Sequence, residues 1–363
     1  MAGIGRTDFV ALDPGRFQGL VLGREVRLIT LRAGPMQAAI CNHGARLLQW
    51  GVPDPRGDWV DVVLGHDSLT QLLGGMSSMG AFVGRFANRI ARATYTDRGR
   101  VVHVPANDGP HALHGGAGGS RHRVFEVIDT QPDRVVMAHT FRTEDDGFAG
   151  RVDVQVCYHL QSDRLSIGYR ALVHEARTPL GFTTHPFFNL DGSGHGCIDD
   201  HVLQIDAPHY VPVDATRIPL GHLADVGGTP FDFRQPRRIA EAWSAPGHPQ
   251  LNLGGAVGFD HAWSTPNPKR ELRRQARLWG ARSGLALEVW SDSPSIQLYT
   301  GLAMDGSLPR HAGKHGQVYG RNAGLCLEPQ NFPDAPNQPF APDCMYDPGQ
   351  TLSGEIQYRF GSG

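Results

Sequence analysis

Residues 151–173 read RVDVQVCYHLQSDRLSIGYRALV: two runs of alternating residue type around a polar QSD. Successive strand side chains point to opposite faces, so Val152, Val154, Val156 and Tyr158 share one face. So short a connection makes the pair a hairpin. RHRVFEVIDT (121–130) and RVVMAHTFRT (134–143) repeat the pattern around QPD. EVRLITLRAG (25–34), WVDVVLG (59–65), HVLQIDAPHYVPVD (201–214), LALEVWSDSPSIQLYTG (285–301) and GEIQYRF (354–360) also read as strands. Helical signal is confined to RRIAEAW (237–243), enough for two turns, and to KRELRRQARLW (269–279), where helical propensity competes with the alternation of QARLW. The strand–helix rhythm of a parallel α/β fold is missing. The expectation is an all-β chain forming one antiparallel domain over residues 1–363, with closed or stacked sheets hiding the strand edges.

Composition narrows the function by exclusion. Lys plus Arg is 34, Asp plus Glu is 36, and the net charge is −2. No basic excess points to nucleic acid or an anionic membrane. No stretch approaches 18 apolar residues, and MAGIGRTDFVALDPGRF has no apolar core of a leader. Cys41, Cys157, Cys197, Cys326 and Cys344 are scattered, odd in number and form no CxxC, which reads as free thiols in a reducing compartment. A cytoplasmic chain, monomeric or homodimeric, is expected.

Polar residues in aromatic or glycine-rich surroundings mark the candidate site. GRFANRI (84–90) carries Arg85 and Arg89 four apart around Asn88, and buried guanidinium groups need carboxylate or hydroxyl partners. Structural ion pairing and a donor fork aimed at a polyol both fit. NDGPHALHGG (107–116) puts His111 and His114 on a turn-rich loop. Their HxxH spacing lacks the further ligands zinc needs, so a sugar hydrogen bond suits them better. GAGGS (116–120) lacks the GK[ST] ending of a phosphate loop. TTHPFFNL (183–190) places His185 before Phe187 and Phe188, an apolar floor for a sugar ring, with Asn189 fixing backbone or binding a hydroxyl. LCLEPQNFPDAPNQPF (325–340) puts Glu328 after an apolar run, at a strand end before a rigid loop. GFDHAW (258–263) offers Asp260 and His261 in an aromatic loop, and SIQLYTG (295–301) offers Gln297 and Tyr299 on one strand face. Each histidine or carboxylate alone is also compatible with a packed structural role. Together they suit a neutral polyhydroxy ligand, because planar polar groups bind hydroxyls and rings pack on C–H faces. The missing basic cluster argues against a doubly charged phosphate.

In this order, GRFANRI, LHGG, THPFFNL, GFDHAW, QLYTG and LEPQNFPDAPN resemble the aldose 1-epimerase (galactose mutarotase) family, over about residues 18–360. The resemblance implies a large antiparallel β-sandwich with few short helices, the galactose mutarotase-like supersandwich, and an open sugar cleft. It tips 269–279 toward ending as a strand. It also implies a monosaccharide substrate, with no cofactor, no metal, no nucleic acid and no membrane. Glu328 matches the family's catalytic base and His185 its acid. His114 matches a second histidine beside the ring. Arg89, with Asn88 beside it, and Asp260 match groups that bind hydroxyls, and Gln297 matches a variable substrate-side position. Two departures bear on substrate preference: GGMSSMG (74–80) replaces a bulkier loop, and His111 stands where asparagine is common.

The implied chemistry interconverts α and β anomers of free aldoses such as galactose and glucose. One group removes the O1 proton, another protonates O5, the C1–O5 bond breaks, and the aldehyde rotates before closing on its other face. That assignment expects an ionised Glu328 and a charged His185, each favouring the other's charge. A hexose-6-phosphate 1-epimerase would need extra Arg or Lys at the cleft rim. A non-catalytic sugar-binding module would fit loss of Glu328 or His185, and both are present.

Overall fold

A computed structural model describes residues 9–244, 247–252 and 256–361. Residues 1–8, at the start of the stretch read for a leader, lie outside the described residues. The hairpin around QSD forms as the alternation requires: Val152–Leu160 pairs antiparallel with Arg164–Val173. Val152, Val154, Val156 and Tyr158 are all buried on one face. Arg134–Phe141 and Glu126–Gln131 extend the sheet on one side. Thr351–Gly361, Ala286–Ser291, Arg273–Trp279, Val202–Ile205 and Arg237–Arg238 extend it on the other, giving nine strands. The ambiguous 269–279 segment thus ends as a strand from Arg273. Pairing on both sides rewards its alternation over its helical propensity. Residues Ile239–Trp243 make the short helix expected there.

Two smaller sheets pack against this one. Leu28–Ala33, Met36–Cys41, Arg46–Pro53 and Trp59–Asp61 form an antiparallel meander. The other runs, in spatial order, Ala224–Asp225, His209–Tyr210, Asp260–Ser264, Ser295–Tyr299 and Cys326–Gln330. One contiguous apolar core draws on all three sheets, including Trp50, Tyr158, Trp263 and Tyr358. Trp50 meets Phe360 edge-on at 5.0 Å between ring centres, tying the first sheet to the nine-stranded one. The fold is therefore all-β and antiparallel, with three short helices among the described residues. None of these helices is long and apolar enough to cross a membrane. The five cysteines are unbridged.

Candidate active site

The strand Cys326–Gln330 is buried throughout, and because strand side chains alternate between faces, Cys326 and Glu328 share one face while Leu327 turns into the main core. Pro329 lacks an N–H, which this strand tolerates because it is the sheet's edge. Glu328 is therefore buried in mid-strand, at 2% exposure, and not at the strand end the sequence suggested. TTHPFFNL runs extended beside it. Phe188 and Leu325 exchange two backbone hydrogen bonds, at 2.6 and 2.9 Å, which sets the neighbouring His185 and Glu328 face to face. The His185 backbone is clamped as well: its N–H donates to the Ala81 carbonyl, and its own carbonyl accepts from Gly80 N–H. The alternation separates the two phenylalanines. Phe187 lines the cleft, while Phe188 packs on Tyr358 in the core, so only one of them forms the expected floor. Asn189 fixes backbone, donating to the Ala323 carbonyl, and does not reach the cleft.

The cleft has a volume of about 530 Å³. It brings together Asn88, Arg89, His114, His185, Asp260, Gln297 and Glu328, the residues that the family resemblance matched to catalytic or sugar-binding positions. Asp260 sits on a strand and not in the loop expected, in register with Tyr299, and Gln297 is in register with Glu328. Gln297 Nε2 donates to Asp260 Oδ1 at 2.7 Å, and Arg217 and Arg89 approach Oδ2 at 3.1 and 3.7 Å. Arg89 also donates from Nε to Asp108 at 2.8 Å. Its neighbour in the motif has another fate. Arg85 is sealed in the interior with both Asp146 oxygens, at 2.8 and 3.0 Å.

The histidine loop divides similarly. His111 forms a tight turn with Asp108 and accepts Arg92 N–H at Nδ1; it is not among the cleft residues, so its expected sugar contact is not made. His114 lies in the cleft in a left-handed conformation, φ +54°. Its Nδ1 accepts the Asn88 N–H at 3.2 Å, which puts the proton of the neutral ring on Nε2. Gly115 follows at φ +76°, where a Cβ would stand 2.2 Å from the Gly84 carbonyl oxygen. This glycine lets LHGG close against GRFANRI.

The electrostatics of the pair reverse the expectation of two charged groups. His185 Nε2 lies 3.5 Å from Glu328 Oε1, and Glu328 Oε2 is buried without a hydrogen-bond partner. Burial, reinforced by Asp260, holds the Glu328 carboxyl well above the usual carboxylate range against the pull of Arg89. Burial, reinforced by Arg121, lowers His185 to about 4. Desolvation of both groups outweighs their mutual attraction, so burial favours a neutral pair holding one proton. Burial also keeps His114 uncharged, far below the usual imidazole range. Cys326 Sγ lies 3.3 Å from His185 Nδ1, and burial raises its thiol well above the ordinary value. A thiol donating to Nδ1 leaves the ring proton on Nε2, toward Glu328. The spacing of Cys326 and Glu328, two apart on a strand, was the signal that could have found this neighbour.

Sequence reading also missed the cations. Arg121, Arg217 and Arg310 line the cleft beside Arg89, so its walls are not the neutral ones inferred from the motifs. Asp108, Tyr299, Ser77, Ser78 and Asn107 add to the polar lining. His185, Cys326 and Glu328 offer ligand atoms within 4.8 Å of one another, a nitrogen–sulfur–oxygen set that could hold a metal such as zinc.

These features agree with the comparisons to known proteins. The family model described as aldose 1-epimerase matches residues 27–359, and the chain belongs to that family. It is 36% identical over 360 residues to galactose mutarotase of Rattus norvegicus and to that of Homo sapiens, covering 99% of each chain. It is 35% identical over 343 residues to aldose 1-epimerase of Escherichia coli K12, covering 93% of this chain and 96% of the relative. A GalM/aldose epimerase homologue from C. elegans superposes with a TM-score of 0.82 at 30% identity, over 92% of this chain and 98% of its own.

Proposed function

We propose that this protein interconverts the α and β anomers of free aldoses, galactose and glucose among them, with Glu328 and His185 as the acid–base pair. Glu328 takes the O1 proton while His185 delivers one to O5, and the ring opens. This step converts a charged pair into Glu328–COOH and neutral His185, the condition burial favours. Moving the pair's single proton from Glu328 to His185 against the sugar's O1 and O5 sets up ring opening, and the roles reverse on closure. Asp260, Arg89 and Gln297 hold ring hydroxyls, and His114 adds a fixed Nε2–H donor with Asn88 supporting it. The shared core supports reading residues 1–363 as one catalytic domain. A cytoplasmic, monomeric or homodimeric enzyme completes the proposal, and the unbridged cysteines support the compartment.

The observation that carries this reading is the partnerless Oε2 of a buried carboxyl facing a histidine across a sugar-sized cleft. Glu328→Gln keeps the shape and removes the base. Polarimetry of fresh α-galactose should show kcat reduced by roughly 10²–10⁴-fold, with an unchanged circular dichroism spectrum. A variant within threefold of the parent would end the assignment.

A further inference from the structure

The acid–base reading leaves one buried cation in the cleft without a task. Arg121 lines the cleft at 6% exposure. Its Nε donates to His122 Nε2 at 3.0 Å and one terminal nitrogen donates to Ser78 Oγ at 3.2 Å. Among the described residues no carboxylate lies within ion-pair distance of it. The other buried arginines are satisfied differently. Arg85 has Asp146 and Arg89 has Asp108. Arg46 donates to the carbonyls of His43, Met79, Ser77 and Arg121. By holding the last two, Arg46 also fixes the segments that carry Ser78 and Arg121. Arg121 is thus a buried guanidinium facing a cleft with donors to spare and no carboxylate in contact, since Asp108, which acts on it from a distance, is paired with Arg89, and a bound anion relieves that state.

The chemistry of the ring locates the missing anion. Asp260 and Gln297 lie on the Glu328 side of the cleft, and Gln297 is in register with Glu328 itself. Arg121 lies on the histidine side: it donates to Ser78, two residues before Gly80, whose N–H donates to the His185 carbonyl. O5 joins C1 to C5, and C6 hangs from C5. With O1 at Glu328, O5 at His185 and the C2–C3 hydroxyls toward Asp260, the C6 substituent falls on the Arg121 side. Exposed Arg310 adds a second positive charge at the rim.

Resting on the acid–base reading above, we propose that Arg121 is a specificity residue that binds an anionic group on carbon 6, so that acidic aldoses are substrates beside the neutral ones. Two groups share this chemistry: the carboxylate of a hexuronic acid, which matches the planar fork of one guanidinium, and a 6-phosphate, which would draw on Arg310 as well. Anomer exchange is measured by NMR at pH 7 for galactose, galacturonic acid and galactose 6-phosphate. The parent should accelerate galactose and at least one of the acids. In Arg121→Gln, the ratio of kcat/KM for that acid over galactose should fall roughly ten- to hundredfold. Ser78→Asp should lower the same ratio by setting a carboxylate beside the guanidinium, and it alters only a half-buried loop residue, so it carries the test if Arg121→Gln fails to fold. A ratio that falls for galacturonic acid identifies the carboxylate as the ligand, and one that falls for the phosphate identifies phosphate. Acceleration of galactose with both acids left at their spontaneous rates would overturn the proposal. A ratio within twofold of the parent in both variants would do the same. Acceleration of none of the three sugars would instead overturn the acid–base reading itself.

Discussion

Two buried pairs of opposite charge type sit in this molecule and behave differently. Arg85 and Asp146 meet through two hydrogen bonds of 2.8 and 3.0 Å. The guanidinium also donates to the Ala149 and Gly150 carbonyls, and the Phe148 N–H donates to Asp146 Oδ1. His185 and Glu328 stand 3.5 Å apart, with one carboxyl oxygen partnerless. Burial disfavours the charged form of every one of these four groups. In the first pair, saturated hydrogen bonding keeps the ions: Asp146 is raised only to about 6 and is ionised at neutral pH. In the second, the missing partners leave desolvation dominant, and the proton can sit on either group. Complete satisfaction holds a pair as fixed ions, and a deficit of partners leaves a pair whose proton can move, as the proposed acid–base role needs.

The comparison can be broken at three points. The largest effect is expected where satisfaction is removed. Asp146→Asn leaves Arg85 buried without its counter-charge and should cost about 3–5 kcal/mol of stability, read as a lower denaturation midpoint. Mutarotation per folded molecule should stay at the parental value, because Asp146 lies outside the cleft; a loss of turnover in the folded fraction would dissolve the distinction between the two pairs.

A smaller, sharper test concerns pH. The proposed mechanism requires one proton in the pair. As pH falls through about 4, His185 takes up a second proton, which produces the acidic limb of kcat/KM. As pH rises past the elevated range of Glu328, the pair loses its proton, which produces the alkaline limb. Both limbs belong to the coupled pair. In labelled-histidine NMR of the ligand-free protein, the His185 ring should be neutral at pH 6 and charge only near pH 4. An imidazolium persisting above pH 6.5 would restore the charged pair expected from the motifs alone.

The smallest effect expected is none. Dialysis against EDTA should leave the mutarotation rate unchanged, since the proposed proton transfers use side chains only. A loss of rate restored by one added metal would convert His185, Cys326 and Glu328 from an acid–base cluster into a ligand set.

Much of this was legible in the chain itself. Alternation around QSD and QPD determined hairpins and the buried face of Val152–Tyr158, because the period of a strand is a local property. Ordered motifs pointed to the family, and through it to Glu328, His185 and the residues around them as the proposed site. Tertiary structure alone decided which member of each local pair reached the cleft: Arg89 and not Arg85, His114 and not His111, Phe187 and not Phe188. Residues so close in sequence are separated by which sheet or turn packs against them. The protonation of the pair was equally out of reach, because it depends on burial by every neighbour that excludes water and on the charge of Arg121 from a distant segment. The same holds for the unpaired cation. A guanidinium is recognised as lacking a carboxylate only once the chain has folded around it.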